Sequence, residues 1–115
     1  MTKIKNVVTE VETNYPETTK MFKEVMQEQY ELFCLKQSNY GPDNISLGTT
    51  LEKSEDRKMS QMGIWFRLND KIQRLKQLVV LGNKDNVGES VKDTYQDLSV
   101  YGIICQIVVE GKWGK

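Results

Sequence analysis

The sequence predicts an all-α fold, three long helices in an antiparallel bundle with a short extra helix at the N-terminus or in a connection. Three observations predict it. Apolar residues recur at spacings of three and four through the middle of the chain. Turn-forming residues gather in two clusters, SNYGPDNISLGTT and GNKDNVG. The stretches these clusters separate each run to about twenty residues, far longer than a typical strand.

The first long helix is predicted from Pro16, which suits a first helical turn, to Gln37, with Phe22, Val25, Met26, Tyr30 and Phe33 on one face. Ser38 to Thr50 reads as a loop broken at Gly41-Pro42 and Gly48. Leu51 to Lys58 is a short helix or an extension of the next one. The second long helix is predicted from about Met59 to Leu81 on the repeat Trp65, Leu68, Ile72, Leu75, Val79, with Gly82 as its stop. On that pattern Trp65 and Phe66 belong to the core.

A third helix is predicted from about Glu89 to Glu110, stopped by Gly111. Its β-branched run GIICQIVV would also suit a strand. Length decides for a helix of roughly 33 Å, and the apolar second half predicts the most buried of the three. Trp113 lies just beyond as an anchor for the tail. The first fifteen residues carry Ile4, Val7, Val8 and Val11 and a possible Thr9/Glu12 capping box, so they form a short helix or an arm.

A chain of 115 residues makes a single domain, residues 1–115, and 38% hydrophobic with 28% charged residues describes an ordinary globule. Sixteen basic residues balance sixteen acidic ones, which disfavours general nucleic-acid binding. The absence of histidine excludes histidine-based triads, proton shuttles and metal sites. Chemistry near neutral pH then falls to carboxylates, lysine, tyrosine or a bound metal. Cys34 and Cys105 have no CxxC spacing and read as reduced core residues. No apolar run has the length of a secretory signal or a membrane span, so the expected compartment is the cytoplasm and no membrane partner is expected.

Glu89, Asp93 and Asp97 recur every four residues and share a helical face that continues into Val100, Ile104 and Ile107. Carboxylates that drift into an apolar seam need lysine, arginine or a divalent cation to answer them. An oxygen-only donor set favours Mg2+ or Mn2+ over zinc. The alternative is a solvated helix start whose acids meet the helix dipole. Glu24, Glu28 and Glu31 form a second acidic strip, with Glu28 and Glu31 as further metal candidates or simply a solvated edge. Arg67, Lys71 and Arg74 form a basic strip, with Asp70 placed for an intrahelical pair with Arg74. Such a strip closes salt bridges within the bundle or holds phosphates. Tyr40, Asp43 and Asn44 flank Gly41 in a loop suited to be a lid or the wall of a pocket for base or sugar. Neither a P-loop nor a GxGxxG motif occurs.

The ordered set SNYGPDN, RLNDKIQRLKQL and ESVKDTYQDLSVYGII resembles the phage and bacterial nucleotide-modification-associated domain, the first family of that name, over about residues 31–106. In length and helical plan the chain is also similar to all-α nucleotide pyrophosphohydrolases of the MazG type. Those enzymes hold magnesium against a triphosphate with acidic pairs on two helices. Here Asn69-Asp70-Lys71 stands where one pair is expected, and Glu28 with Glu31 would replace it. The resemblance implies a Mg2+-dependent hydrolase converting a (deoxy)nucleoside triphosphate to monophosphate and pyrophosphate, in the host cytoplasm if phage-encoded. Glu89 and Asp93 would be catalytic and metal-binding, with Asp97, Glu31 and Glu28 completing the metal set. Arg67, Lys71, Arg74, Tyr40, Asp43 and Asn44 would bind the nucleotide. The alternative is a nucleotide-binding protein that does not cleave, a sponge for a signalling nucleotide or an accessory to base modification. The apolar last helix further predicts a homo-oligomer, dimer or tetramer.

Overall fold

The structure, a computed structural model, describes residues 2–115. Its elements are α1 (Thr2–Asn14), α2 (Pro16–Tyr40), α3 (Asp43–Ser46), α4 (Ser54–Leu75), a π-helical turn (Lys76–Val80) and α5 (Val91–Val109). The described residues contain no strand, so the all-α prediction holds. They group into two compact units, one ending at Lys36 and one spanning Gln37–Lys115.

In the first unit α1 and α2 are separated by Tyr15 alone, and Pro16 opens α2 where its missing N–H costs nothing. The Glu12 carboxylate meets the Lys23 ammonium at 2.8 Å across this bend. The N-terminal stretch is thus a helix. It starts at Thr2, so no capping box forms at Thr9, whose carbonyl instead accepts from the Thr13 hydroxyl at 2.7 Å. No residue of α1 is buried. On α2 the predicted apolar face is mostly in solvent too: Phe22, Met26 and Tyr30 are exposed, and Gln29 is the buried residue.

In the second unit α4 and α5 run antiparallel. As the position on α4 falls through Arg74, Lys71 and Arg67, its partner on α5 rises through Thr94, Asp97 and Tyr101. The same alternation of three and four residues leads on to the buried Ile64 and Ser60 of α4 and the buried Ile104 and Val108 of α5. One seam therefore carries ions at one end and the apolar core at the other. Around the core end lie Ile45, Leu51 and Trp113, all buried. The Ser60 hydroxyl donates to the Ile45 carbonyl at 2.7 Å, and the Trp113 indole N–H donates to the Pro42 carbonyl at 3.0 Å, so Trp113 is the anchor predicted for the tail. Leu51 is held in a left-handed conformation (φ 62°), where a side chain costs about 1–2 kcal/mol. Burial of that side chain and two Arg57 hydrogen bonds, to the Leu51 and Glu52 carbonyls, offset the cost.

Several sequence expectations are corrected. The Trp65–Leu68–Ile72–Leu75–Val79 stripe is not the buried face of α4, since Trp65 and Phe66 are each 59% exposed. Helical spacing identifies a stripe but not the partner that covers it, and α5 packs on the ridge containing Ile64, Arg67 and Lys71 instead. Helix α5 buries Thr94, Ile104 and Val108 but exposes Tyr95, Ile103 and Val109. Cys34 is exposed and Cys105 only half-buried, so neither is a core residue; both are free thiols, and burial pushes the Cys105 thiol up from its ordinary value. The segment 38–50 is not all loop, because α2 continues to Tyr40 and Asp43–Ser46 forms a helical turn after Gly41 (φ 70°). Residues from Ser54 extend α4, and α5 begins at Val91, after Glu89. The stops at Gly82 and Gly111 are as predicted, both in the left-handed region. No helix of the described residues is long and apolar enough to cross a membrane.

The choice of face is directly measurable. Ile64→Ala should cost about 2–5 kcal/mol in urea denaturation, as truncations of fully buried side chains do. Trp65→Ala should cost under about 0.5 kcal/mol, as expected for an exposed site; equal costs would contradict the burial pattern.

Candidate functional site

The seam between α4 and α5 gathers most of the charged residues that the sequence marks as functional. The Lys71 ammonium lies 2.9 Å from the Asp97 carboxylate and 4.0 Å from that of Glu89. Both acids are partly shielded, as is Lys71. The hydrogen bond from Lys71 to Asp97 raises the lysine pKa above its ordinary value; partial burial opposes this, and the charges of Asp97 and Glu89 add to it. Ionised Lys71 thus stabilises the fold at neutral pH, and that contribution is lost only as pH rises beyond the ordinary lysine range.

Arg74 secures the start of α5. Its Nε donates to the Thr94 hydroxyl at 3.2 Å and its Nη2 to the Glu89 carbonyl. Nη2 also pairs with Asp85 at 3.3 Å, so this arginine turns to the preceding loop and not to Asp70. Asp85 in turn accepts the backbone N–H groups of Val87 and Gly88. The Val87 bond is the main cause holding its carboxyl below the ordinary value, with Gly88 and Arg74 contributing. Arg67 donates to the Asn44 carbonyl at 3.0 Å and lies over the Tyr101 ring, 5.5 Å from its centroid. Each member of the basic strip therefore has a protein partner.

The acidic strip divides. Glu89 precedes the helix and Ser90 caps it, the Ser90 hydroxyl accepting the Asp93 N–H at 3.1 Å. Asp93 is exposed in the first turn, where a carboxylate meets the positive end of the helix dipole. Only Glu89 and Asp97 face Lys71 together. Among the described residues no three cysteine, aspartate or glutamate side chains gather as a metal-binding group. Glu89 and Asp97 are the two carboxylates that meet at one point of the seam, and there they meet an ammonium. Glu28 and Glu31 are both exposed and lie on the part of α2 within the first unit.

The predicted pocket loop is tied down. The Gln37 amide donates to the Gly41 carbonyl and, at 3.2 Å, to the Asn44 side-chain oxygen. Asp43 accepts from the Ser46 hydroxyl at 3.3 Å, while Tyr40 is exposed at the end of α2. Asn44 meets the seam through its backbone, as the acceptor for Arg67. Sequence reading missed Asp85, Thr94 and Tyr101 as partners of the basic strip. For Thr94 and Tyr101 the available signal is the three-four spacing with Asp97, the mirror of that of Arg67, Lys71 and Arg74; Asp85, in the loop before α5, carries no such signal.

Residues 57–109, which contain this whole seam, match the family described as nucleotide modification associated domain 1. This is the family that the ordered motifs resemble, and the SNYGPDN loop lies outside the matched residues. No curated protein and no solved structure matches the chain, and likeness to MazG-type enzymes is not shown.

Two measurements test the seam. A double-mutant cycle with Lys71→Met and Asp97→Asn should return a coupling of about 0.5–1.5 kcal/mol, the size of a partly shielded ion pair. Asp85→Asn should lower the thermal midpoint at pH 7. The gap to wild type should close as pH falls below the ordinary aspartate value of 3.8, because the benefit of an ionised Asp85 is lost as its lowered pKa is crossed.

Proposed function

We propose that the chain handles nucleoside triphosphates with magnesium at the α4/α5 seam, as a pyrophosphohydrolase giving monophosphate and pyrophosphate. The observation that carries this reading is the convergence of Glu89 and Asp97 on a single cation, the Lys71 ammonium, within the segment matched to a nucleotide-associated family. A pair of carboxylates already organised around positive charge is suited to hold Mg2+ when a nucleotide arrives. Phosphate oxygens would then take the ammonium, and Arg67 and Arg74 would flank them. When bound, the metal would supply charge neutralisation on the phosphates and a more acidic water. Asp93 would lie in solvent beside the reacting groups, and Tyr40, Asp43 and Asn44 would contact base or sugar. The reading includes a homo-oligomer, dimer or tetramer.

One observation favours a second reading, in which the nucleotide is bound without cleavage. Arg67, Lys71 and Arg74 are all engaged within the protein, and the neighbouring Asn69-Asp70-Lys71 supplies no acidic pair. A sponge for a signalling nucleotide, or an accessory to base modification, needs only the binding step.

A panel of ribo- and deoxyribonucleoside triphosphates separates the two. Under the first reading, pyrophosphate appears with Mg2+, stops with chelator, and falls by about tenfold or more in Asp97→Asn and Glu89→Gln. Thermal stabilisation by a nucleotide with no pyrophosphate release selects the second reading. No stabilisation by any nucleotide, with or without Mg2+, rejects both.

A further inference from the structure

Helix α1 has thirteen residues, none of them buried, and helices so short rarely persist in water without a packing partner. Ile4, Val7, Val8 and Val11 are 42–63% exposed and fall within an arc of about 100° on one face. Val7, Val8 and Val11 of that face line one wall of an apolar cleft of about 440 Å³, whose other wall, on α2, includes Phe22 and Met26. An apolar helix face of this kind is completed by another helix, and the charges beside it specify which one.

On each flank of the apolar stripe a lysine is followed seven residues later by a glutamate: Lys3 and Glu10 on one flank, Lys5 and Glu12 on the other. When two antiparallel helices are related by a two-fold axis, like flanks face each other with their directions reversed. A two-fold centred between Val7 and Val8 places Ile4 beside Val11 of a second copy. On the shared flanks it brings Lys3 to within about 3 Å along the axis of Glu10 of that copy, and Lys5 likewise to Glu12, which also pairs with Lys23 of its own chain. A parallel pairing would put lysine against lysine. The sequence of α1 is thus complementary to itself in the antiparallel sense, both in apolar residues and in charge.

We propose that the exposed face of α1 is a homodimer interface, in which α1 of one copy lies antiparallel on α1 of another and fills the apolar cleft beside α2. This surface differs from α5, which the sequence suggested for self-association. The proposal stands independently of the nucleotide reading, because the helix pairing needs no ligand.

The test is sedimentation velocity of the full chain without nucleotide, from about 1 to 100 μM, the range in which a modest interface is visible. The wild type should pass from monomer to dimer, and the pair Val7→Glu with Val8→Glu should remain monomeric. Lys3→Glu and Glu10→Lys, each alone, place like charges across the two-fold and should weaken the dimer by about tenfold. Combining Lys3→Glu with Glu10→Lys restores opposite charges and should recover the dimer. The rescue separates an interface from mere loss of helix. A wild type that stays monomeric at about 100 μM overturns the proposal. So does a Val7→Glu, Val8→Glu protein that dimerises as before, which would point to the Trp65–Ile72–Val79 stripe, or a combined charge exchange no better than its single components.

Discussion

Lys71 is the residue on which the second unit turns. Its ammonium joins Asp97, on the second turn of α5, to Glu89, which precedes that helix, and so ties the start of α5 to α4. Arg74 and Arg67 repeat the arrangement one turn to either side, so the antiparallel register is read three times by charged or polar groups before the apolar core begins. Exposed ion pairs contribute little to stability. Partly shielded ones at fixed spacing do more for specificity, because a slip of the helices leaves several charges unmatched together.

The same feature connects fold to chemistry. Two carboxylates around one ammonium leave the cluster with a net negative charge, and under the proposed function a metal-bound polyphosphate would offer both signs of charge a new partner. The cation would go to the acids and the anion to the base, so binding exchanges ionic contacts and strands none. The matched family segment coincides with this region and leaves out the first unit, where Ile4, Val7, Val8 and Val11 of α1 stand exposed.

Much of the helical plan was legible. Pro16, Gly82 and Gly111 mark boundaries through backbone geometry that does not depend on distant contacts, and Trp113 was identifiable as an anchor. The misassignments have two causes. Periodicity assigns Trp65, Phe66 and Cys34 to the core, yet all three are exposed, because hydrophobicity says that a residue would gain from burial without saying that anything covers it. The four-residue spacing of Glu89, Asp93 and Asp97 reads as one helical strip, but Ser90 caps α5, so the first lies outside the helix and the second faces water.

The sequence by itself determined the all-α class, the three long helices and the basic strip Arg67, Lys71 and Arg74, because periodicity and turn chemistry are local properties. Only the tertiary structure decided which face of α4 meets α5. That choice compares a polar ridge whose charges find partners with an apolar stripe that finds none, and the comparison exists only once both helices are in place.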